Sequence, residues 1–239
     1  MFATVILAGG FGTRLQGVLK DLPKPMAPVE GRPFVEWIAR ALHHQGIRDF
    51  VLSTGYLAHK VEEHFHDGIL PQARFVCVAE SSPLGTAGGF LHAAAQSGFH
   101  PGSWLVCNGD SLVAAPLDPL LSLFADPEVD AGVLALWQED ASRYGSLDTD
   151  TEGRLRGFRE KKPGAAWINA GVYLFRSALL MEFPTKNPLS FETEVFPGLI
   201  ASGKNIRVAR VEGEFLDIGL PESLARAGAF IQRNRSVLA

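Results

Sequence analysis

A chain of 239 residues, 46% hydrophobic and 20% charged, has the make-up of an ordinary globular protein and is long enough for one large α/β domain. Its formal net charge of −4 leaves no overall positive field to gather nucleic acid or an anionic membrane, so neither is expected as a partner, and local basic groups must meet any anionic substrate. No apolar stretch is long enough to cross a bilayer.

The two cysteines, Cys77 and Cys107, fall in apolar runs. They read as buried, reduced thiols, with a disulfide in an oxidising compartment as the alternative. The start, Met1–Ala8, is apolar but has no basic leader, so the cytoplasm is the expected location.

In chain order, Ala3–Ala8 is an apolar run closed by Gly9-Gly10, the pattern of a buried parallel strand. Phe34–His44 follows Pro33 with Phe34, Trp37, Ile38, Ala41 and Leu42 at helical spacing. Phe50–Ser53 reads as a strand, Leu57–Phe65 as a helix, Phe75–Val78 as a strand, Ala87–Gln96 as a helix and Trp104–Cys107 as a strand. This alternation predicts right-handed crossovers and a Rossmann-like, mostly parallel sheet with helices on both faces. After about Gly132 the pattern changes to short strands with few helices between them: Val133–Trp137, Ser146–Asp148, Leu155–Arg159 and Ile168–Phe175. These are expected as antiparallel additions. A helix near Glu192–Ala201, a strand at Ile206–Arg210 and a closing helix at Pro221–Asn234 complete the chain. No linker of low complexity divides it, so residues 1–239 are expected to form a single domain.

The loop Leu7-Ala8-Gly9-Gly10-Phe11-Gly12-Thr13-Arg14-Leu15 leaves the first strand. Its glycines let backbone N–H groups approach a ligand, and ligands of parallel sheets gather beyond the carboxyl ends of the strands. Arg14 adds a fork-shaped cation suited to phosphate, and Lys24 is stiffened between Pro23 and Pro25. Together they predict a triphosphate site. A plain tight turn is the alternative for the glycines alone. A dinucleotide fingerprint is disfavoured, because Leu15 stands where its third glycine belongs. His64 and His66, two apart, read as solvated rather than as metal ligands.

Beyond these residues the chain resembles the sugar nucleotidyltransferase family. The likeness rests on Gly9–Leu15, Lys24-Pro25 and Pro28-Val29, then Pro83–Gly89, Asn108-Gly109-Asp110, Glu160-Lys161, Asn169-Ala170-Gly171 and Leu216-Asp217-Ile218-Gly219, all in family order and spanning nearly the whole chain. The run Leu19–Pro28, together with Arg143-Tyr144-Gly145 and Ser190-Phe191-Glu192, looks most like the D-glycero-D-manno-heptose 1-phosphate guanylyltransferase branch. After Leu15 the chain departs from the Pro-Leu-Thr common in the family, which tells against a close analogy to the thymidylyl enzymes but not against the reaction class.

The resemblance implies a nucleotide-diphospho-sugar transferase fold. It also implies transfer of a nucleotidyl group, GMP from GTP by preference, to a sugar 1-phosphate such as the heptose, with release of pyrophosphate. Leu7, Ala8, Gly9, Gly10, Gly12, Thr13, Gly85 and Thr86 would bind the nucleotide. Arg14, Lys24 and Asp110 would be catalytic, with Asp110 and Asp217 holding Mg²⁺. Gly145, Glu160, Lys161 and Asn169 would bind the sugar phosphate, although the charge-rich stretch Arg154–Lys162 also reads as a guarded strand edge. Glu80 offers two adjacent acceptors to the N1–H and 2-amino donors of guanine; a glutamate pointing to solvent is the equal alternative. Glu192 and Glu194, after Ser190, double as helix-capping acids. The partners expected are a nucleoside triphosphate and a sugar 1-phosphate, and a homo-oligomer is as compatible with the sequence as a monomer. The competing readings are a uridylyltransferase or similar enzyme acting on a hexose 1-phosphate, a glycosyltransferase that consumes nucleotide sugars, and a non-catalytic regulatory nucleotide-binding module.

Overall fold

The structure, a computed structural model, describes residues 2–10, 12–15, 17–159 and 163–238. In chain order the first elements are β1 (Phe2–Ala8), the short hairpin β2 (Pro28–Val29) and β3 (Arg32–Pro33), α1 (Phe34–His44), β4 (Asp49–Thr54), α2 (Ala58–Phe65), β5 (Arg74–Ala79), α3 (Thr86–Gln96) and β6 (Ser103–Asn108). Then follow β7 (Ser111–Ala114), α4 (Asp118–Leu121), β8 (Ala131–Gln138), β9 (Ser146–Thr149), β10 (Leu155–Arg159) and β11 (Ala166–Arg176). The chain closes with α5 (Phe196–Ala201), β12 (Ile206–Val211), β13 (Glu214–Asp217), α6 (Pro221–Arg233) and α7 (Arg235–Leu238).

Among the described residues, nine strands build the main sheet. Its first half is parallel, in the order β6-β1-β4-β5, and helices supply the crossovers. β11 joins β6 antiparallel, β8 joins β11 antiparallel, β12 runs parallel to β8, and the β9–β10 hairpin extends the other end of the path. This is the mixed α/β fold expected from the sequence, with antiparallel strands added in the second half. β4 is buried at all six positions, as a central strand covered on both faces must be.

Two apolar layers flank the sheet. One packs Phe34, Trp37, Ile38, Phe65, Phe230 and Leu238 from α1, α2, α6 and α7 against residues such as Ile6 and Leu52. The other packs Phe90 of α3 and Phe196 of α5 against Val5, Tyr173 and Phe175. In this second layer Phe175 stacks on Phe191 and on Phe196, with ring centroids 5.5 and 5.7 Å apart. These contacts peg the segment before α5 to the sheet.

Several local expectations change in three dimensions. α2 begins at Ala58, because Leu57 takes a left-handed backbone (φ 53°). The expected helix over Glu192–Ala201 is a wide π-helical turn, Phe191–Val195, running into α5. His64 is not simply solvated: its Nε2 lies 2.7 Å from Oε2 of Glu36, which is 3% exposed and also accepts from Arg32 and Arg40. Burial alone would raise the Glu36 pKa, but the hydrogen bonds from Arg40, His64 and Arg32 outweigh it and hold the carboxylate below its ordinary value. Both cysteines are free thiols, Cys107 buried and Cys77 half-buried, and burial pushes them up to about 12 and about 11.

Candidate active site

β1 lies in the sheet between β4 and β6, and its carboxyl end delivers Leu7, Gly9 and Gly10 to a cavity of about 320 Å³. The loop then turns back at Gly12, whose φ is +57°. A Cβ there would sit 2.7 Å from the Cβ of Lys24, so only glycine lets the loop lie against that lysine. Leu15 is buried and anchors the loop, while Arg14 beside it is exposed. Pro25 and Met26 are buried in a tight turn that fixes the start of the Lys24 side chain. Lys24 Nζ donates to Oδ2 of Asp110 at 2.6 Å, with side chains 14% and 38% exposed.

Glu80 follows β5 and turns inward. Its Oε2 accepts from the N–H of Leu84 at 3.0 Å, and its Oε1 accepts from Ser53 Oγ at 3.2 Å. It lines the same cavity as Lys24, Gly85 and Thr86. The solvent-pointing alternative therefore does not describe this side chain, and each carboxylate oxygen keeps a lone pair for a further donor.

Asp110 is presented by the turn after β6, where the N–H of Gly109 donates to Leu7 O at 2.9 Å. Immediately beyond it β7 pairs antiparallel with β13, matching Ser111 to Asp217. The N–H of Ile218 donates to the Asp110 carbonyl at 3.0 Å. Two acids 107 positions apart (217 − 110) are thus brought side by side by one four-residue ladder. Asp110 Oδ1 accepts from Ser111 Oγ at 3.1 Å, and Asp217 Oδ1 accepts from the N–H of Gly219. Among the described residues no group of three or more His, Cys, Asp or Glu forms a closed metal cage. Two carboxylates open to a cavity fit Mg²⁺, which keeps waters and takes phosphate oxygens as its remaining ligands.

A second cavity, of about 780 Å³, adjoins the first, and both are lined by Asn108 and Asp110. Asp217, Gly145 and Asn169 line only this second one. The N–H of Asn169 donates to Gly145 O at 2.9 Å, and a register shift in β11 between Asn169 and Tyr173 marks a bulge beside the cavity. Asn169 Nδ2 donates to the Tyr173 hydroxyl at 2.8 Å, and that hydroxyl donates to Glu192 Oε1 at 3.1 Å. Tyr173 is 1% exposed; burial first, then the Glu192 charge, raises its pKa well above the ordinary value, so it stays a protonated donor. At the rim, both terminal nitrogens of Arg143 donate to the buried Ser223 Oγ of α6 at 3.3 Å. Tyr144 packs edge-on against Phe215, at 5.2 Å between centroids.

The structure thus brings together Lys24, Asp110, Asp217, Glu80, Gly85, Thr86, Gly145 and Asn169 with the first glycines of the loop. Ala8 is buried behind the loop, and Gly12 supports it from the Lys24 side. Arg14 stays exposed on the turn and lines neither cavity. Glu160 and Lys161 lie outside the described residues, as does the Thr13 side chain. β10, which leads to Glu160, ends the sheet path; its Arg156 and Arg159 pair with Asp150 and Asp148 as at a charged edge, and Phe158 and Arg159 also line the second cavity. The sequence placed Asn108 in the Asn108-Gly109-Asp110 motif without a role of its own, yet it lines both cavities, and no role was assigned to Arg143. Its position before Tyr144-Gly145 was a usable signal, but its anchor on Ser223 is 80 residues away.

A glycine loop beyond a central parallel strand, opening at one acid onto a second cavity, places the candidate site where α/β folds hold their ligands, at the carboxyl ends of the strands. The nucleotidyl transferase family model matches residues 3–234, and the chain belongs to that family. A mannose-1-phosphate guanylyltransferase of Mycobacterium tuberculosis is 34% identical over 232 residues, covering 96% of this chain and 64% of that protein. A D-glycero-alpha-D-manno-heptose 1-phosphate guanylyltransferase of Campylobacter jejuni is 34% identical over 225 residues, covering 91% of this chain and 95% of that protein. The crystal structure of HddC from Yersinia pseudotuberculosis complexed with GMP-PN superposes with a TM-score of 0.81 at 29% identity, covering 97% of this chain and 100% of that one. Among the described residues no helix is long and apolar enough to cross a membrane.

Proposed function

We propose that this chain transfers GMP from GTP to a sugar 1-phosphate, D-glycero-D-manno-heptose 1-phosphate being the preferred acceptor, and releases pyrophosphate. The observation that carries the reading is the meeting of two cavities at Asp110, with Lys24 bound to that acid from the glycine-loop side. A phosphate monoester has a second pKa of about 6, so the acceptor is already largely dianionic at neutral pH and needs no general base. The barrier is repulsion between that dianion and the triphosphate. Catalysis is therefore alignment plus positive charge. Lys24 supplies a held cation at the junction, Arg143 a second at the acceptor rim, and Arg14 one for the outward phosphates. Mg²⁺ held by Asp110 and Asp217 would add the charge needed to bring two phosphate groups into contact.

The heptose is favoured over a hexose on the runs Leu19–Pro28, Arg143-Tyr144-Gly145 and Ser190-Phe191-Glu192, and the heptose relative from Campylobacter, 34% identical, supports that reading. The two free thiols fit a reducing compartment, and the cytoplasm is the proposed location. The test is a panel of nucleoside triphosphates against sugar 1-phosphates with Mg²⁺, read by pyrophosphate release. GTP with the heptose 1-phosphate is expected to be fastest. Tight nucleotide binding with no pyrophosphate from any acceptor overturns the assignment and supports a regulatory module.

Selection of guanine is assigned to Glu80. Hydrogen bonds to a charged group contribute about 1.5–3 kcal/mol, so Glu80→Gln is expected to lower the GTP-over-UTP preference in kcat/KM by roughly 10- to 100-fold. An unaltered ratio removes Glu80 from base recognition.

A further inference from the structure

Glu192 is where the sequence left two roles open and the structure separates them. The segment Ser190–Val195 carries two acids, either of which can cap the helical turn that follows. Capping falls to Glu194: its Oε2 accepts from the N–H of Ser190 at 2.9 Å and its Oε1 from Lys186 Nζ at 2.7 Å. The Lys186 bond first, then those from Thr193 and Ser190, draws its pKa down to about 2. Ser190 Oγ accepts from the N–H of Thr193 at 3.4 Å, so the backbone donors of the cap go to Glu194 and to Ser190 rather than to the Glu192 carboxylate. The turn is π-helical, with the N–H of Val195 reaching Ser190 O at 3.1 Å. Such widened turns recur at functional sites.

Relieved of capping, Glu192 lines the second cavity beside Asn169 and Thr193. Its carboxylate is held from behind by the Tyr173 hydroxyl on Oε1 and by Ser190 Oγ at 3.2 Å on Oε2. Phe191, the preceding residue, lies 5.0 Å from the Tyr173 ring, so the backbone is pinned as well. A carboxylate offers about four acceptor sites; Oε1 takes the Tyr173 hydroxyl and, at 3.5 Å, Asn169 Nδ2, while Oε2 takes Ser190 Oγ and keeps a lone pair for a further donor. Asp110 and Asp217, with Lys24 attached to Asp110, line this cavity together with the cations Arg143 and Arg159. A phosphate dianion is attracted to the cations and is repelled by the Glu192 carboxylate. Hydroxyls are the groups Glu192 can accept from.

We propose that Glu192, oriented by Tyr173 and Asn169, is a specificity-determining residue that reads hydroxyl groups of the sugar in the second cavity. This rests on the proposed function and deepens it: the acceptor is a polyhydroxylated sugar phosphate whose selection depends on a carboxylate acceptor. A site built to bond a hydroxyl rejects the analogue that lacks it, because its buried polar groups are then left unpaired.

The experiment measures kcat and KM for wild type, Glu192→Gln and Tyr173→Phe with the best acceptor and its set of monodeoxy analogues, and records thermal midpoints. Glu192→Gln is expected to raise KM for the sugar phosphate by about 10- to 100-fold while KM for the nucleotide stays within about twofold. At least one monodeoxy analogue is expected to suffer a wild-type penalty that shrinks about tenfold in Glu192→Gln, the signature of a direct pairwise contact. Tyr173→Phe is expected to move the acceptor KM in the same direction by a smaller factor. The proposal is overturned if the analogue penalties are the same in wild type and Glu192→Gln, or if both substrates' KM values rise together with a lowered midpoint, as a purely structural role would give. If wild type turns over no sugar 1-phosphate at all, the proposed function fails and this inference with it. If wild type is active and Glu192→Gln discriminates as wild type does, this inference alone fails.

Discussion

Replacing Asp110 by Asn is expected to lower kcat/KM by about 1,000-fold while leaving the fold intact. The substitution keeps the side chain's shape and removes a charge at the point both cavities share. Two effects add. The proposed metal loses one of its two carboxylates, and Lys24 Nζ, now 2.6 Å from Oδ2, loses the anion that aims it along the junction. Removing one preorganised electrostatic group typically costs 100- to 1,000-fold, and here both are disturbed, so about the upper figure applies. Stability is a different matter. Asp110 is 38% exposed, and solvent-screened ion pairs contribute about 0–1 kcal/mol, so the thermal midpoint is expected to stay within a few degrees of wild type, about 2–4 °C. Pyrophosphate release and thermal unfolding on the same preparation check both halves. A rate within threefold of wild type would remove Asp110 from the chemistry.

Gly85→Ala is expected to give the largest loss of stability. Gly85 has φ +79°, and a Cβ there would lie 2.4 Å from the carbonyl oxygen of Leu189 and 2.9 Å from its nitrogen. All of these are backbone atoms, which cannot swing aside. The same carbonyl accepts the N–H groups of Ala87 and Gly88 at the start of α3, and the N–H of Leu189 donates to Leu84 O at 2.8 Å. Strain at a left-handed position costs about 1–2 kcal/mol and overpacking about 1–3 kcal/mol. At about 2–4 °C per kcal/mol for a chain of this size, the midpoint is expected to fall by roughly 10 °C. Nucleotide affinity should fall with it, since Gly85 and Thr86 line the first cavity. A thermal scan showing an unchanged midpoint would mean that the 84–89 and 187–191 segments are not locked together.

The amino-acid sequence alone determined the parts of this protein that depend on local patterning. Apolar runs such as Phe50–Ser53, and the helical spacing of Phe34, Trp37, Ile38, Ala41 and Leu42, match β4 and α1, because burial on a strand or a helix imposes its own period. Gly9–Leu15 and Lys24 stand out for the same reason: backbone approach to a ligand restricts residue type at particular positions.

Only the tertiary structure decided which distant groups meet. Ser111–Ala114 and Glu214–Asp217 are too short to show a period, yet their ladder places Asp217 beside Asp110. Arg143 is given its direction by Ser223, 80 residues on, and Glu192 by Tyr173, whose hydroxyl reaches it across the π-helical turn. Capping and hydroxyl recognition ask for the same carboxylate in sequence. They differ only in what surrounds it, and that is a property of packing between segments far apart in the chain.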